Sequence, residues 1–310
     1  MRAARRGLLA LPLAGPALAQ ERPIRLVIAF PPGGSTDILG RLIAPRMGEI
    51  LGTTVTPENR SGASGAVGAG LVAQAAPDGA TLLLDSGGQA VNPHLMRGLG
   101  FDYATGFAPV TLLATLPLVL VVRADLGVAT LAALLARLRA EGWPVAYGSV
   151  GIGARTHLAM AALLRRAGLT GEHIPYRGGA DQMAGLLRGD VALGFTSVAL
   201  AAPLLREGRL LALGYSLPGR APSIAEQGFP GFAIGDWLAL LAPAGTPPAT
   251  IARLAAAVRE AVMQPALSPR LAELGLEPAA EGPEALARFL SAERAAMGAL
   301  IAAEGIRLDG

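Results

Sequence analysis

The stretch FPPGGSTD at residues 30–37 follows the apolar run IRLVIA and replaces it with glycines, hydroxyls and an acid. Such small, donor-rich residues after a buried run suit a phosphate, a reacting carbonyl or a plain turn. A P-loop needs G-x-x-x-x-G-K-[ST], and the chain contains no lysine. In GSVGIGART, Gly151 and Gly153 have dinucleotide-fingerprint spacing, but Thr156 stands where the third glycine belongs. A nucleophile elbow, G-x-S-x-G, fails at both candidate serines: Tyr147 replaces the first glycine ahead of Ser149, and Ser64 in GASGA lacks the last. A hydrolase would also need an orienting histidine, and only His94, His157 and His173 exist. None of these belongs to an H-x-x-H or H-E-x-x-H pattern, so neither a metal nor a cofactor is expected.

What remains is a set of glycine- and hydroxyl-rich loops: GGSTD (33–37), SGGQAVN (86–92), GSVGIGARTH (148–157), YRGGAD (176–181) and FTS (195–197). Several lead into helices, whose free amides and positive ends suit a carboxylate without any catalytic group. The candidate ligand-binding residues are Gly33, Gly34, Ser35, Thr36 and Asp37; Ser86 and Gly87; and Ser149, Gly151, Gly153, Thr156 and His157. Tyr176, Arg177, Gly178, Thr196 and Ser197 complete the set. Asp37 would repel an anion and is read chiefly as a cap or brace of its own loop. His157 is read as a loop orienter or a ligand-facing ring. Arg177 is either a bidentate partner for a carboxylate or a solvated loop charge. Tyr176 either meets ligand, closes a cleft, or simply packs.

The elements that must position these loops alternate along the chain. PIRLVIAF (23–30) is nearly all apolar, as in a parallel strand buried on both faces. Ser35 or Thr36 is expected to cap the next helix, whose apolar residues recur at three- and four-residue spacing and which Pro45 should kink. TVTPEN (54–59) and ATLLLDS (80–86) read as further strands, giving a β-α-β-α-β series with its loops at the strand carboxyl ends. A single strand-like run, APVTLLATLPLVLVVR (108–123), leads to a second αβ unit containing PVAYGS, HIPYRG, DVALGFTS and LLALGYS. WLALLAPAGTP (237–247) is strand-like again, and helices at about 249–263, 268–275 and 284–303 end the chain. The predicted fold class is α/β, with two lobes built on parallel-rich sheets flanked by helices. Lobe 1 takes 20–122 plus 237–310, and lobe 2 takes 123–236.

With 310 residues, 52% of them hydrophobic and 16% charged, the chain can build two cores. Aromatics make up 4%, which argues against a stacking surface for nucleic acid. Residues 1–19 carry a basic start (Arg2, Arg5, Arg6), an apolar stretch from Gly7 to Leu18 and an A-x-A site at Ala17–Ala19, the pattern of a cleavable export signal. Pro12 and Pro16 interrupt the apolar stretch, which is shorter than the ~20 residues of a membrane span. Cleavage after Ala19 would remove three arginines and no acid, leaving 23 of each sign, so the basic balance belongs to the signal. The absence of cysteine excludes disulfides and thiolate chemistry. A monomer exported to the periplasm is expected.

In order along the chain, PIRLVIAFPPGGSTD(x3)R, ENRSGASG, APDGATLLL, NPHL, YGSVGIGARTHLA, PYRGGADQMAGLLRGDVALGF, WLALLAPAGTP and EGIRL resemble the Bug family. These are the extracytoplasmic solute receptors of tripartite tricarboxylate transporters. The resemblance implies a two-lobed periplasmic binding protein of type II that closes on a small organic carboxylate and presents it to membrane transporter subunits. It also implies that loops 33–37 and 148–157 form a pincer on one ligand carboxylate, largely through backbone amides. The 176–181 loop and Thr196-Ser197 would then read the far end. Two departures stand out: GRAPSIAEQGFPGF (219–232) is shorter than the family's proline-rich segment, and no acid lies near Thr196-Ser197 to meet an ammonium group. A ligand-sensing module and an exported α/β hydrolase are the competing readings.

Overall fold

The run ahead of FPPGGSTD is apolar except for the exposed Arg25 because the strand it forms is covered on both faces from Leu26 onward. In the computed structural model, which describes residues 22–142 and 145–307, Leu26 and Ile28 enter one core and Val27 the opposite one. The export signal expected over 1–19 lies outside the described residues.

The first half of the chain runs β1 (Ile24–Ile28), α1 (Ser35–Leu51), β2 (Val55–Asn59), α2 (Ala66–Ala73), β3 (Thr81–Asp85), α3 (Gly88–Leu95), β4 (Phe107–Leu116), β5 (Leu118–Arg123) and α4 (Leu131–Glu141). It continues with β6 (Val145–Ser149), α5 (Arg155–Arg166), β7 (Gly171–Pro175), α6 (Gly179–Arg188), β8 (Leu193–Ser197), α7 (Val198–Arg206) and β9 (Leu210–Tyr215). The last elements are β10 (Asp236–Pro243), α8 (Pro248–Val262), α9 (Ser268–Glu273), β11 (Glu277–Glu281) and α10 (Pro283–Glu304). No helix among the described residues is long and apolar enough to cross a membrane.

Two sheets result, in the orders β11-β4-β10-β3-β1-β2 and β7-β6-β8-β5-β9. Each contains a parallel trio, β2-β1-β3 or β7-β6-β8, and beside it an antiparallel strand, β10 or β5. Both sheets are therefore mixed rather than parallel-rich. Helices α1 and α8 cover one face of the first sheet, and α2, α3 and α10 the other. Helices α4 and α5 cover one face of the second sheet, and α6 and α7 the other. Each fully buried leucine or isoleucine in these cores contributes about 1.5–3 kcal/mol.

Four local expectations differ from what forms. The run 108–123 is two strands in different sheets, because Pro117 has no N–H to continue a ladder. The chain thus changes sheets at Pro117, a few residues before the expected 122/123 boundary, and returns through 216–235. Residues 88–92, read as part of a loop, begin helix α3: burial of Ala90 and Val91 overrides the loop-like Gly-Gly start. Helix α1 is capped by the backbone of Gly34, with no side-chain cap from Ser35 or Thr36, and runs unbroken through Pro45. Finally, polar β11 pairs with β4, where apolar periodicity gave no signal.

Candidate functional site

Parallel strands aim their carboxyl ends, and the helix starts that follow, at a common side of each sheet. The loop after β1 is held from within by Asp37. Its Oδ2 accepts the Gly33 amide at 2.9 Å, while Oδ1 accepts Asn59 Nδ2 at 2.8 Å and Arg41 Nε at 2.9 Å. Asn59 also donates to the Phe30 carbonyl at 3.0 Å, so the strand end and the helix start share one knot. Burial opposes the charge on Asp37, but Gly33, Asn59 and Arg41 outweigh it and hold the carboxyl below its usual range. Gly33 takes φ 85°, a conformation that favours glycine, and Gly33 and Gly34 remain exposed. The first-turn amides of α1, from Ser35 to Asp37, are those a helix leaves without backbone acceptors.

The loop between β6 and α5 is braced the same way. The Ser149 hydroxyl accepts the Gly151 amide at 3.1 Å, donates to the Gly151 carbonyl at 2.9 Å and lies 2.6 Å from His173 Nε2. Thr156 Oγ1 accepts the Val150 amide at 3.1 Å, and His157 Nδ1 accepts the Gly153 amide at 3.0 Å. The rings of His157 and His173 stack at 3.7 Å, with Tyr147 beside them. Burial pushes His157 down to about 3, helped by His173, and His173 down to about 4. Both rings are therefore neutral at physiological pH. Three of the expected ligand side chains, Ser149, Thr156 and His157, thus face inward and shape the loop. The α5 first-turn amides, Arg155 to His157, are those a helix leaves without backbone acceptors.

Ser149 and His173 are close enough for a nucleophile and its base, yet the arrangement lacks the rest of that machinery. Ser149 is 0% exposed, and no carboxylate pairs with His173 among the described residues.

Ser86 and Gly87 direct their amides into the protein. Ser86 donates to Asp85 Oδ1 at 2.8 Å and Gly87 to Asp236 Oδ1 at 3.1 Å. Burial, with a smaller contribution from Asp236, pushes Asp85 up to about 7. Burial also raises Asp236, against the opposing charge of Arg155. Burial lowers Arg155 to about 10, against the pull of Asp236. Composition and motif spacing did not single out Arg155, Asp85 or Asp236. The one available signal was charge in otherwise apolar or glycine-rich segments.

Among the remaining candidates, Tyr176 packs over Gly148 and Gly185, with its hydroxyl buried and unpartnered. Ser197 caps α7 by accepting the Leu200 amide at 3.4 Å. Arg177 is exposed and has no carboxylate partner among the described residues, and Gly178 is the cap residue of α6. Thr196 Oγ1 and Gln182 Oε1 are buried without a partner. The Gln182 amide is fixed by donating to the carbonyls of Gly148 and Phe195, the latter next to Thr196. A surface cavity of about 1020 Å³ lies away from these loops, between α1 and the edge strand β2, lined by Arg22, Gly48 and Val55 among others.

Residues 39–306 match the model of the tripartite tricarboxylate transporter family receptor. The chain belongs to this family. The Bug-type resemblance carried by the loop motifs is therefore borne out, as is the two-lobed periplasmic-binding fold. The periplasmic binding protein BugD superposes with a TM-score of 0.83 at 29% identity, covering 93% of this chain and 99% of its own. The R. palustris protein Rpa4515, solved with adipate, gives 0.86 at 32% identity, covering 93% and 98%. MatC from Rhodopseudomonas palustris, solved with malate, gives 0.81 at 30% identity, covering 91% and 99%. The chain passes from one sheet to the other at Pro117 and back through 216–235.

Proposed function

We propose that this receptor binds a small organic carboxylate between its lobes and hands it to the membrane subunits of a tripartite tricarboxylate transporter. The observation that carries the reading is the pair of inwardly braced loops. Asp37 on one side, and Ser149, Thr156 and His157 on the other, use their side chains to shape backbone rather than to meet solvent. What each loop offers outward is amide N–H at a helix start, together with exposed Gly33 and Gly34, and these suit one carboxylate group. Arg177, Gly178 and Thr196 would read the other end of the ligand. Asp37 would brace the first loop, and the amides of Ser86 and Gly87 would serve the protein interior.

Hinge closure supplies the mechanism. Ligand contacts to both lobes favour the closed state, and the membrane partner recognises that state. The adipate and malate bound by two relatives support a carboxylate ligand, and the absence of an acid beside Thr196 favours one without an ammonium group. The protein acts as a periplasmic monomer and releases its ligand unchanged. Native mass spectrometry of protein purified from its own periplasm tests the reading. A co-purifying carboxylate of one mass per chain is expected, and a cationic or phosphorylated ligand would contradict it.

A further inference from the structure

Arg155 opens α5 directly after the Gly151–Ala154 turn, so its backbone belongs to the second lobe. Its side chain does not stay there. The guanidinium reaches Glu293 and Met297 on α10, which packs along α3 and β4 of the first lobe, and only 3% of the side chain is exposed. Gly87 provides the floor: a Cβ there would stand 2.6 Å from Arg155 Nε and 3.1 Å from Asp236 Oδ1. Asp236 is the first residue of β10 and pairs with Leu116, next to the Pro117 crossover. Trp237 Nε1 donates to Glu293 Oε2 at 3.0 Å and so holds the acceptor in place.

Two neighbours complete the seat. Gly153 leaves room for Leu95 of α3, whose Cδ1 would lie 2.5 Å from a Cβ at that position. Leu158, three residues along α5 from Arg155, is buried in the first lobe's cluster with Val91 and Trp237. One clamp loop is thus built by the second sheet but docked on the first lobe, beside the strand where the chain returns.

We propose that Arg155 is a positioning residue for ligand capture. Seated among Gly87, Asp236, Glu293 and Met297, it pins the 151–157 loop to the first lobe next to the crossover. The amides of that loop then keep one placement against the first lobe. The guanidinium is sealed from the cleft, so it acts on affinity through the loop and not by touching ligand. This inference rests on reading the cleft as a carboxylate site.

The chain has no cysteine, so spin labels can be placed at Ser61→Cys and Ala180→Cys, exposed positions at the cleft ends of the two lobes. Pulsed electron resonance would give the distance between them in the wild-type, Arg155→Met and Glu293→Gln backgrounds. A narrow wild-type distribution that broadens in both variants is expected. The Kd for the best carboxylate of a panel should weaken about tenfold or more in each variant. The double variant should be no worse than the weaker single one. Unchanged distance distributions with Kd values within about twofold of wild type would overturn the proposal. If wild-type protein binds no carboxylate, the reading of the cleft fails, and the distance distributions alone still decide for or against the seat. Should Arg155→Met fail to fold, Glu293→Gln and Arg155→Lys carry the same comparison.

Discussion

The ring of His157 lies flat on that of His173, centroids 3.7 Å apart and planes 4° from parallel, while its Nδ1 accepts the Gly153 amide. The β6–α5 loop is thus held by two neutral rings and a hydroxyl.

That stack makes the fold acid-sensitive. Burial lowers His157 to about 3 and His173 to about 4, from an ordinary 6.5. The unfolded chain therefore binds more protons than the native one below pH 6.5. The stability from neutral rings is complete above that pH and drains as pH falls toward 4 and 3. A tenfold change in proton affinity is worth about 1.4 kcal/mol, so a loss of a few kcal/mol is expected. Calorimetric melting should show a steep decline from pH 6.5 to 4 that His157→Gln and His173→Gln both flatten. An unaltered slope in both variants would contradict the assignment.

Asp85 carries the opposite sign. Burial raises its folded pKa to about 7 from 3.8, so the native state keeps a proton that the unfolded chain releases. Its contribution is favourable at low pH and is lost as pH rises from 3.8 through about 7. Asp85→Asn should therefore gain stability relative to wild type across that window and hold the gain above it. A constant difference between the two proteins from pH 4 to 8 would count against this account.

Asp37 is expected to matter for ligand affinity without meeting ligand. Asp37→Asn removes the charge that Gly33, Asn59 and Arg41 all address. It should cost about 1–3 kcal/mol of stability in chemical denaturation. Ligand affinity should also fall, as the β1–α1 loop loses its single conformation. A variant with lower stability but full affinity would make Asp37 a helix brace alone.

Ser149 sits 2.6 Å from a histidine but should not react. With its hydroxyl sealed, a fluorophosphonate probe is expected to leave Ser149 unlabelled, as judged by peptide mass spectrometry. Labelling there that Ser149→Ala abolishes would revive the hydrolase reading.

Element types and the glycine loops were largely legible in the sequence. A strand covered on both faces is nearly all apolar, as in IRLVI, where only Arg25 is exposed, and an amphipathic helix such as α8 repeats its apolar positions on a fixed spacing. The changeover at Pro117 was hidden because both flanking strands are apolar, and apolar patterning does not reveal which sheet a strand joins. Helix α3 begins with glycines and contains Pro93, so its local signals point away from helix, and only burial under α10 decides. At the site, residue types identified the loops but not the direction of their side chains. Ser149 and Thr156 looked like ligand groups and are internal braces, and of the two readings of His157 the loop orienter is the one its Nδ1 contact with Gly153 fits. Arg155, with a charge that reads as solvent-facing, is buried between the lobes. Such contacts join residues more than a hundred positions apart, and no local spacing encodes them.

The most direct test of the central claim is isothermal titration of the mature protein with adipate, malate and a panel of mono-, di- and tricarboxylates, with each ligand assayed for conversion afterwards. The account predicts saturable one-to-one binding of at least one carboxylate, recovered unchanged. Failure of every carboxylate to bind, or chemical turnover of one of them, would contradict it.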